Sequence, residues 1–299
     1  MLSIEPTGKI LGAKIRGVDL SKPLSGPDLG QILLALSQNG IIGFPGQSLS
    51  PKEHIAFATQ LGEIHESAEY HDPEDSGLSI LSNIKENGEN VGYVDAGMIW
   101  HKDMTYVPVP GFTTVLHALK VPRRDGKALG GTQFINARAA YDDLPDELKR
   151  KLEGKTCIHS VKKYNAVVRG AGSKRDTYDK LPRKNPPMSH PLFLTHPVSG
   201  QIALYCDPSH AERINELPAE ESDEILAFLE EHQLQPKYQF VYEWDEGDVL
   251  MWDNLSTLHR STIDYGPDEI RLIKRCQVMS DKVFDPAFVK SAMDQATAA

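Results

Sequence analysis

The sequence lacks long apolar runs and has no excess of positive charge. No stretch approaches the roughly 18 consecutive apolar residues that a membrane-spanning helix needs, so no membrane span is predicted. The net charge of −10 argues against sequence-independent nucleic-acid binding, which needs a basic surface to neutralise phosphates. We therefore expect neither a membrane nor a nucleic acid as a partner.

Cysteine is also scarce. Cys157, Cys206 and Cys276 are widely spaced and form no Cys-x-x-Cys or Cys/His zinc pattern. Such usage is typical of a reducing compartment. The first residues lack the charged and then apolar pattern of a secretory signal. Together these features predict a cytoplasmic protein.

Short strand-like segments dominate what is present, and a few helical patterns separate them. A chain of 299 residues can form one large domain or two smaller ones, and no linker or repeat divides it, so we expect a single domain over residues 1–299. Many strands without regular βαβ alternation predict a mainly β fold, a double-sheet barrel with helical decoration. The predicted helices are 28–39, 51–61, 145–152 and 218–232, and the predicted strands are 9–20, 40–45, 78–84, 100–106, 111–120, 129–136, 191–206, 238–254 and 270–279.

His101 and Asp103 are the first candidate metal ligands. In an extended strand, residues two apart face the same side, so these two could bind one metal ion. A second histidine would complete a two-histidine, one-carboxylate triad, which leaves three positions open and suits non-haem Fe(II). The spacing alone is weak evidence, because His210 and Glu212 repeat it. A surface or hydrogen-bonded histidine is the alternative.

His259, Arg271 and Arg275 add a second group of candidates near the C-terminus. His259 follows an apolar strand and a polar turn, where a structural histidine is also common. Arg271 and Arg275 would share a strand face about 13 Å apart, too far for one carboxylate to contact both. Guanidinium groups bind carboxylates in bidentate fashion, so the two arginines are predicted to hold different anionic groups. A solvated strand face is the alternative.

Residues 161–184 form a basic segment in an otherwise acidic chain. The segment holds eight Lys or Arg residues and two Asp residues. One hypothesis is a mobile lid that attracts an anionic substrate, with Lys162, Lys163, Lys174 and Arg175 as steering charges. The alternative is a solvated loop that balances local acidic patches.

The motifs taken together resemble those of the taurine / 2,4-dichlorophenoxyacetate dioxygenase family of Fe(II)- and 2-oxoglutarate-dependent enzymes. The resemblance runs from about residue 5 to residue 280. Its central elements are WHKDMTY (100–106), LGGT (129–132), GDVLMWDN (247–254) with the following His259, and the two spaced arginines. Its supporting elements are GAKIRGV (12–18), GIIGFPGQ (40–47) and AAYDDLP (139–145).

The resemblance implies a double-stranded β-helix, a jelly-roll or cupin-like barrel with Fe(II) at one mouth. It also implies 2-oxoglutarate as cosubstrate, O2 as oxidant, and a homo-oligomer, either a dimer or a tetramer. The iron ligands would be His101, Asp103 and His259. The implied binding residues are Arg271 and Thr132 for the distal carboxylate of 2-oxoglutarate, Arg275 for its inner carboxylate or for an anionic substrate group, Trp252 as a wall of the site, and His65 and Tyr205 as substrate contacts.

Three departures from the family pattern carry their own expectations. The sequence reads LGGT where the family has Gly-Gly-Asp-Thr, so a one-residue shift could misplace Thr132. Lys102 and Arg260 flank two of the implied ligands and are expected to add positive charge near the site. Gly97 stands where taurine-specific relatives carry a polar side chain, which argues against taurine as the substrate.

The resemblance implies a dioxygenase that hydroxylates a small anionic substrate, with succinate and CO2 as coproducts. A carboxylate such as an aryloxy- or arylalkanoate is favoured over a sulfonate. Three alternatives remain open. The first is a biosynthetic hydroxylase or desaturase acting on an amino-acid-derived acid, the second is a metal-free binding barrel, and the third is a zinc hydrolase, which would leave Arg271 unexplained.

Overall fold

The structure, a computed structural model, describes residues 2–66, 70–173 and 185–297. Seven α-helices lie in these ranges, and none of them combines the length and the apolar character that crossing a membrane requires. The helices are α1 (Gly26–Asn39), α2 (Pro51–Thr59), α3 (Ala137–Asp142), α4 (Asp146–Leu152), α5 (Val161–Gly170), α6 (Ala219–Gln233) and α7 (Pro286–Thr297), with a 3-10 helix at Pro236–Tyr238.

Most strands are short. The strands of the described residues are β1 (Ser3–Pro6), β2 (Ala13–Arg16), β3 (Ile41–Phe44), β4 (His71–Asp72), β5 (Asp75–Ser82), β6 (Lys85–Glu86), β7 (Glu89–Asn90), β8 (Gly111–Lys120), β9 (Arg123–Arg124), β10 (Lys127–Ala128), β11 (Thr132–Asn136), β12 (Thr156–His159), β13 (Met188–Pro191), β14 (Phe193–Thr195), β15 (Ile202–Leu204), β16 (Ala211–Ile214), β17 (Gln239–Tyr242), β18 (Val249–Asp253), β19 (Thr257–Ser261) and β20 (Leu272–Met279).

Two sheets pack face to face and form the barrel. The larger sheet has the order β1-β2-β3-β18-β8-β20-β5-β4, and the smaller has the order β17-β11-β19. Leu116, Leu250 and Ile273 of the larger sheet share one buried cluster with Phe134 and Phe240 of the smaller sheet. This double-sheet barrel confirms the predicted mainly β fold.

Helices α1, α2 and α7 cover the other face of the larger sheet. Ile32 of α1 and Phe57 of α2 belong to the same buried cluster as Val115 and Met251 from its central strands. Strand β8 is therefore buried on both faces, and its residues 111–118 are all buried. This explains why β8 reads as a nearly continuous apolar and threonine-containing run rather than as an alternating pattern.

The predicted strand at residues 100–106 is wrong. Within this segment only His101 pairs with a strand, and residues 103–106 form a turn. The strand predicted at 9–20 is limited to β2, and helices α3, α5 and α7 were not predicted. The alternation near Asp103 indicated a strand, but contacts with distant parts of the chain determine the backbone there.

Candidate metal centre

His101, Asp103 and His259 converge on one point at the mouth of the barrel. All three are buried, and their ligand atoms lie within 4.8 Å of one another. Asp103 Oδ1 lies 3.7 Å from His101 Nε2, and Asp103 Oδ2 lies 3.7 Å from His259 Nε2. Among the described residues this is the one group of three or more histidine, cysteine or acidic side chains arranged to hold a metal ion.

Backbone pairing brings the two histidines together from distant parts of the chain. His259 lies on β19, opposite Phe134 of β11. The backbone N–H of His101 donates to the carbonyl oxygen of His259 at 3.1 Å, and the reverse bond measures 2.9 Å. The imidazole centroids are consequently 4.1 Å apart.

A turn, rather than a strand, aims the carboxylate of Asp103 at the histidines. The next residue, Met104, is buried and has φ +59°, in the left-handed region. Gly111, at the start of β8, packs against this turn, and a Cβ there would lie 2.9 Å from the Asp103 carbonyl oxygen. Such a conformation is costly for a non-glycine residue and persists only where its surroundings enforce it.

The protonation of the three side chains fits a divalent transition metal. His101 Nδ1 lies 2.8 Å from the Ile99 carbonyl oxygen, which can only accept, so Nδ1 carries the proton and Nε2 keeps its lone pair. Burial lowers the pKa of His259 well below its usual value. Burial by itself raises the pKa of Asp103, but its electrostatic interactions with His259 and Arg275 outweigh this effect and lower that pKa. Two imidazole nitrogens and one carboxylate oxygen are the donor set that suits non-haem Fe(II).

A small cavity adjoins this centre on the inner side of the barrel. Polar groups from three segments converge on it beside the two histidines. Its lining among the described residues comprises Leu81, Ala96, Gly97, His101, Leu116, Thr132, Trp252, His259, Ser261, Arg271 and Arg275. Arg271 and Arg275 thus line one cavity, as their shared strand face predicts.

Arg271 and Thr132 are fixed as a pair of donors in this cavity. Arg271 is buried, its backbone N–H donates to Asn83 Oδ1 at 2.9 Å, and burial lowers the pKa of its guanidinium group. Trp244 Nε1 donates to Thr132 Oγ1 at 3.1 Å. Because an indole N–H can only donate, the Thr132 hydroxyl keeps its own proton for an anionic ligand. Gly130 leaves room for this arrangement, since a Cβ there would lie 3.0 Å from Arg271 Nε.

Arg275 lies on β20 and lines the same cavity as Arg271. It is paired in register with Leu116 of β8 and Ser79 of β5. Its Nε is buried and has no hydrogen-bond partner within the described ranges. A buried guanidinium N–H without a partner is unfavourable, so this position is suited to an anionic group that completes the site.

Lys102 and Arg260, which flank two of the candidate ligands, both turn their side chains to partners other than the cavity. Lys102 is fully buried, and its Nζ donates to the carbonyl oxygen of Thr257 at 3.1 Å. The guanidinium of Arg260 lies 4.6 Å from the ring centroid of Trp100, and its Nε donates to Gln133 Oε1. Neither cation lines the cavity described above.

The remaining predicted contact residues occupy different places. Trp252 lies in the cavity wall, 4.5 Å from His259 between ring centroids. His65 is exposed, although partial desolvation and then the charge of Arg275 lower the pKa of its imidazole. Tyr205 is fully buried, faces Lys102 and is absent from the cavity lining, so its position does not support a substrate contact.

Three buried polar residues near the centre were missed by the sequence reasoning. The Thr114 hydroxyl donates to Asp103 Oδ2 at 2.6 Å, and Asn254 contacts Thr114. Asp207 accepts from the backbone N–H of Lys102 at 2.9 Å and from His210 Nδ1 at 2.7 Å. Asn254 stands inside the GDVLMWDN motif, which was the one available signal. His210 is thus held by Asp207, away from the three ligands.

The basic segment is described only in part, since residues 174–184, including Lys174 and Arg175, lie outside the described residues. Its first half forms α5, where Lys162 is exposed and Lys163 Nζ donates to the Ala211 carbonyl oxygen. The ring of Tyr164 lies 6.2 Å from that of His101. Helix α5 therefore packs beside the metal centre, and the lid hypothesis stays a prediction.

Comparison with known proteins gives the same family as the motifs. Residues 3–277 match the Taurine catabolism dioxygenase TauD, TfdA family. The 2,4-dichlorophenoxyacetate dioxygenase of Cupriavidus pinatubonensis is 29% identical, over 93% of this chain and 98% of that protein. The (S)-phenoxypropionate/alpha-ketoglutarate-dioxygenase of Delftia acidovorans is 31% identical over 87% of this chain and 89% of its own. Pentalenolactone F synthase of Streptomyces avermitilis is 29% identical, over 93% and 94%.

Solved structures agree with this assignment. AAD-2 in complex with Mn(II) and N-oxalylglycine superimposes with a TM-score of 0.74 at 28% identity, covering 93% of this chain and 97% of that one. A taurine dioxygenase from Burkholderia xenovorans gives 0.74 at 25% identity, covering 94% and 91%. The chain belongs to the TauD/TfdA family and is an Fe(II)- and 2-oxoglutarate-dependent dioxygenase.

Proposed function

We propose that this dioxygenase hydroxylates a small anionic carboxylate, with His101, Asp103 and His259 as the ligands of Fe(II). The observation that carries the assignment is the convergence of the three buried ligand atoms within 4.8 Å beside a cavity lined by two arginines. Bound Fe(II) supplies the oxidative chemistry that couples decarboxylation of 2-oxoglutarate to substrate hydroxylation. The protein positions both molecules and excludes water from the site.

The cosubstrate is held by Arg271 and Thr132. A buried guanidinium group and a hydroxyl with a free proton together offer two or three donors to one carboxylate. Arg275, with its unpartnered Nε, holds either the inner carboxylate of 2-oxoglutarate or the anionic group of the substrate. A zinc hydrolase would need the same three ligands but has no use for this donor pair.

The cavity and the relatives support the proposed substrate class. Leu81, Leu116 and Trp252 give the cavity apolar walls, while Arg275 supplies a cation. The phenoxypropionate and dichlorophenoxyacetate dioxygenases named above act on aryloxyalkanoates, which combine both features. Gly97, with φ +71°, brings no polar side chain to the cavity, so a carboxylate is favoured over taurine.

A biosynthetic tailoring reaction is the second candidate. Pentalenolactone F synthase is as similar to this chain as the dichlorophenoxyacetate enzyme, at 29% identity over 93% of the chain. A panel of aryloxyalkanoates, arylalkanoates, sulfonates and polycyclic or amino-acid-derived acids, assayed for succinate release, separates the two. Release with the polycyclic or amino-acid-derived acids alone would favour this second candidate.

The metal assignment is tested without turnover. Fe(II) and 2-oxoglutarate, added anaerobically, should give the weak visible charge-transfer band of the chelated cosubstrate. Asp103→Ala should abolish this band, and the variant should no longer bind one metal ion per protein chain. Its far-ultraviolet circular dichroism spectrum should be that of the wild type. A matched control is Asp125→Ala, in an exposed turn between β9 and β10. A normal band in Asp103→Ala would overturn the ligand set.

The cellular setting stays part of the proposal. Cys157, Cys206 and Cys276 are buried and free, which supports a reducing, cytoplasmic environment. The family match over residues 3–277 supports one domain. A homodimer or homotetramer is expected by resemblance, and sedimentation velocity at several concentrations would measure it.

A further inference from the structure

We propose that Thr114 and Asn254 are positioning residues that fix the orientation of the Asp103 carboxylate at the metal centre. The inference rests on the proposed role of Asp103 as a metal ligand. Thr114 Oγ1 donates to Asp103 Oδ2 at 2.6 Å. The two carboxylate oxygens each lie 3.7 Å from one histidine, Oδ1 from His101 Nε2 and Oδ2 from His259 Nε2, so the bond from Thr114 sets how the carboxylate is turned toward both.

The need for such a device follows from the backbone at Asp103. The residue lies in a turn and has no strand neighbour that fixes its direction. A carboxylate can bind a metal ion through one oxygen or through both, and a free one would exchange between these modes. Thr114 and Trp252, by contrast, are direct neighbours across the central strands β8 and β18. Attaching the carboxylate to these strands gives it the rigidity of the sheet.

The hydrogen bonds run in one direction only. Trp252 Nε1 donates to Asn254 Oδ1 at 2.9 Å, and an indole N–H cannot accept. The carboxamide must therefore turn its Nδ2 group to Thr114 Oγ1, at 3.1 Å. With its oxygen engaged as an acceptor, the Thr114 hydroxyl can direct its proton only to Asp103. The series of hydrogen bonds has a donor-only group at one end and a carboxylate at the other. The direction of every hydrogen bond in the series is therefore fixed.

Asn254 also contacts the backbone of the ligand residue. Its Oδ1 lies 3.4 Å from the backbone N of Asp103, a long hydrogen bond that adds to the one from Trp252. Thr114, Asn254 and Trp252 are 0%, 1% and 2% exposed, so water has little access to replace a lost partner. A buried polar group that loses its partner is costly, which makes the arrangement hard to rearrange.

Conservative variants separate positioning from packing. Thr114→Val removes the hydroxyl with almost no change of shape, whereas Thr114→Ser keeps the hydroxyl and loses a methyl group. Asn254→Asp replaces the donor to Thr114 by a second acceptor and adds a charge near Asp103. All three are made in the full-length protein. Co(II) and Fe(II) affinities are measured by anaerobic titration, together with the visible spectrum of the Co(II) form.

Thr114→Val and Asn254→Asp should each lower metal affinity about 10- to 100-fold, the usual effect of losing a hydrogen bond to a metal ligand. Thr114→Val should also shift the Co(II) absorption bands, because the carboxylate of Asp103 is then free to change its orientation at the ion. Thr114→Ser should restore both the affinity, to within about threefold, and the wild-type spectrum. A purely packing role predicts the reverse, with Thr114→Ser the more damaging change and the Co(II) bands unmoved.

Two outcomes separate failure of this inference from failure of the proposed function. If Asp103→Ala binds metal like the wild type, the ligand assignment itself is wrong. If Asp103→Ala loses the metal but Thr114→Val and Asn254→Asp keep wild-type affinity and spectrum, the positioning role alone is overturned. Should Thr114→Val fail to fold, Asn254→Asp decides, because it replaces one NH2 group by an oxygen.

Discussion

The ammonium group of Lys102 lies 3.1 Å from the carbonyl oxygen of Thr257, although Lys102 stands between two metal-ligand candidates in the sequence. Its side chain leaves the cavity and ends beside β19, over the ring of Tyr205 at 5.3 Å. Burial lowers the pKa of this amine to about 8. Segment 101–103 is therefore tied to β19 by a buried cation as well as by the backbone bonds of His101.

Lys102→Met should weaken metal binding, because it removes the donor that holds this segment. We expect about a tenfold loss of Co(II) affinity, as for other groups behind metal ligands. Loss of the donor to a buried carbonyl should cost about 1–3 kcal/mol of unfolding free energy. Metal titration and denaturant unfolding measure the two effects. Lys85→Met, on the exposed strand β6, is the control and should change neither; equal behaviour of both variants would contradict this role.

Arg271→Ala should raise the 2-oxoglutarate concentration needed for half-maximal turnover and leave metal binding unchanged. Loss of one partner of a buried charged hydrogen-bonded pair costs about 2–5 kcal/mol, or roughly 30- to 5,000-fold in affinity. Anaerobic titration of the charge-transfer band measures cosubstrate binding directly. Arg16→Ala, whose side chain is 53% exposed, is the matched control. Wild-type cosubstrate affinity in Arg271→Ala would show that Arg271 is misassigned.

Gly111→Ala should disturb the metal centre from outside it. The added Cβ would lie 2.9 Å from the Asp103 carbonyl oxygen and 3.2 Å from Met104 Cβ, so the ligand turn must shift. We expect at least a tenfold loss of metal affinity, with a smaller effect on the unfolding free energy of the metal-free protein. Gly170→Ala is the control, because nothing lies within 4 Å of its Cβ position. Unchanged metal affinity in Gly111→Ala would mean that the turn tolerates movement.

The stability of the metal-free protein should fall as the pH drops below about 6.5. Burial lowers the pKa of His159 to about 3, so between pH 6.5 and 3 the unfolded state binds a proton that the folded state does not. Stability is thus complete above pH 6.5 and decreases by about 1.4 kcal/mol per pH unit for this group. His159→Phe should flatten the slope by that amount, as measured by urea unfolding between pH 7 and 4.5.

Leu192→Ala is the control for this experiment. Leu192 is fully buried in a hydrophobic cluster that is distinct from the two clusters packed on the larger sheet, and its side chain does not titrate. Its truncation should lower the unfolding free energy by about 2–5 kcal/mol at every pH without changing the slope. An unchanged slope in His159→Phe would show that the imidazole is protonated in the folded state.

Local sequence patterns predict an element correctly where the residues of that element by themselves determine its structure. Ser25 and Gly40 cap α1, and the apolar spacing between them predicted the helix at 28–39, against Gly26–Asn39 in the structure. The apolar and threonine-containing run at 111–120 coincides with β8, because a strand buried on both faces needs no alternation. The candidate metal and cosubstrate residues are also predicted from the sequence, through a motif set that covers most of the chain.

Contacts between distant segments determine the features that local patterns did not predict. The alternation at 100–106 favoured a strand, yet Gly111 and the pairing with His259 fold Asp103 into a turn. Nothing local showed that Lys102 would turn inward, or that Thr114 and Asn254 would meet behind the carboxylate. Residue types and spacing indicate which groups can bind iron. The direction of each side chain depends on packing between strands that lie far apart in the sequence, and a local pattern does not contain that information.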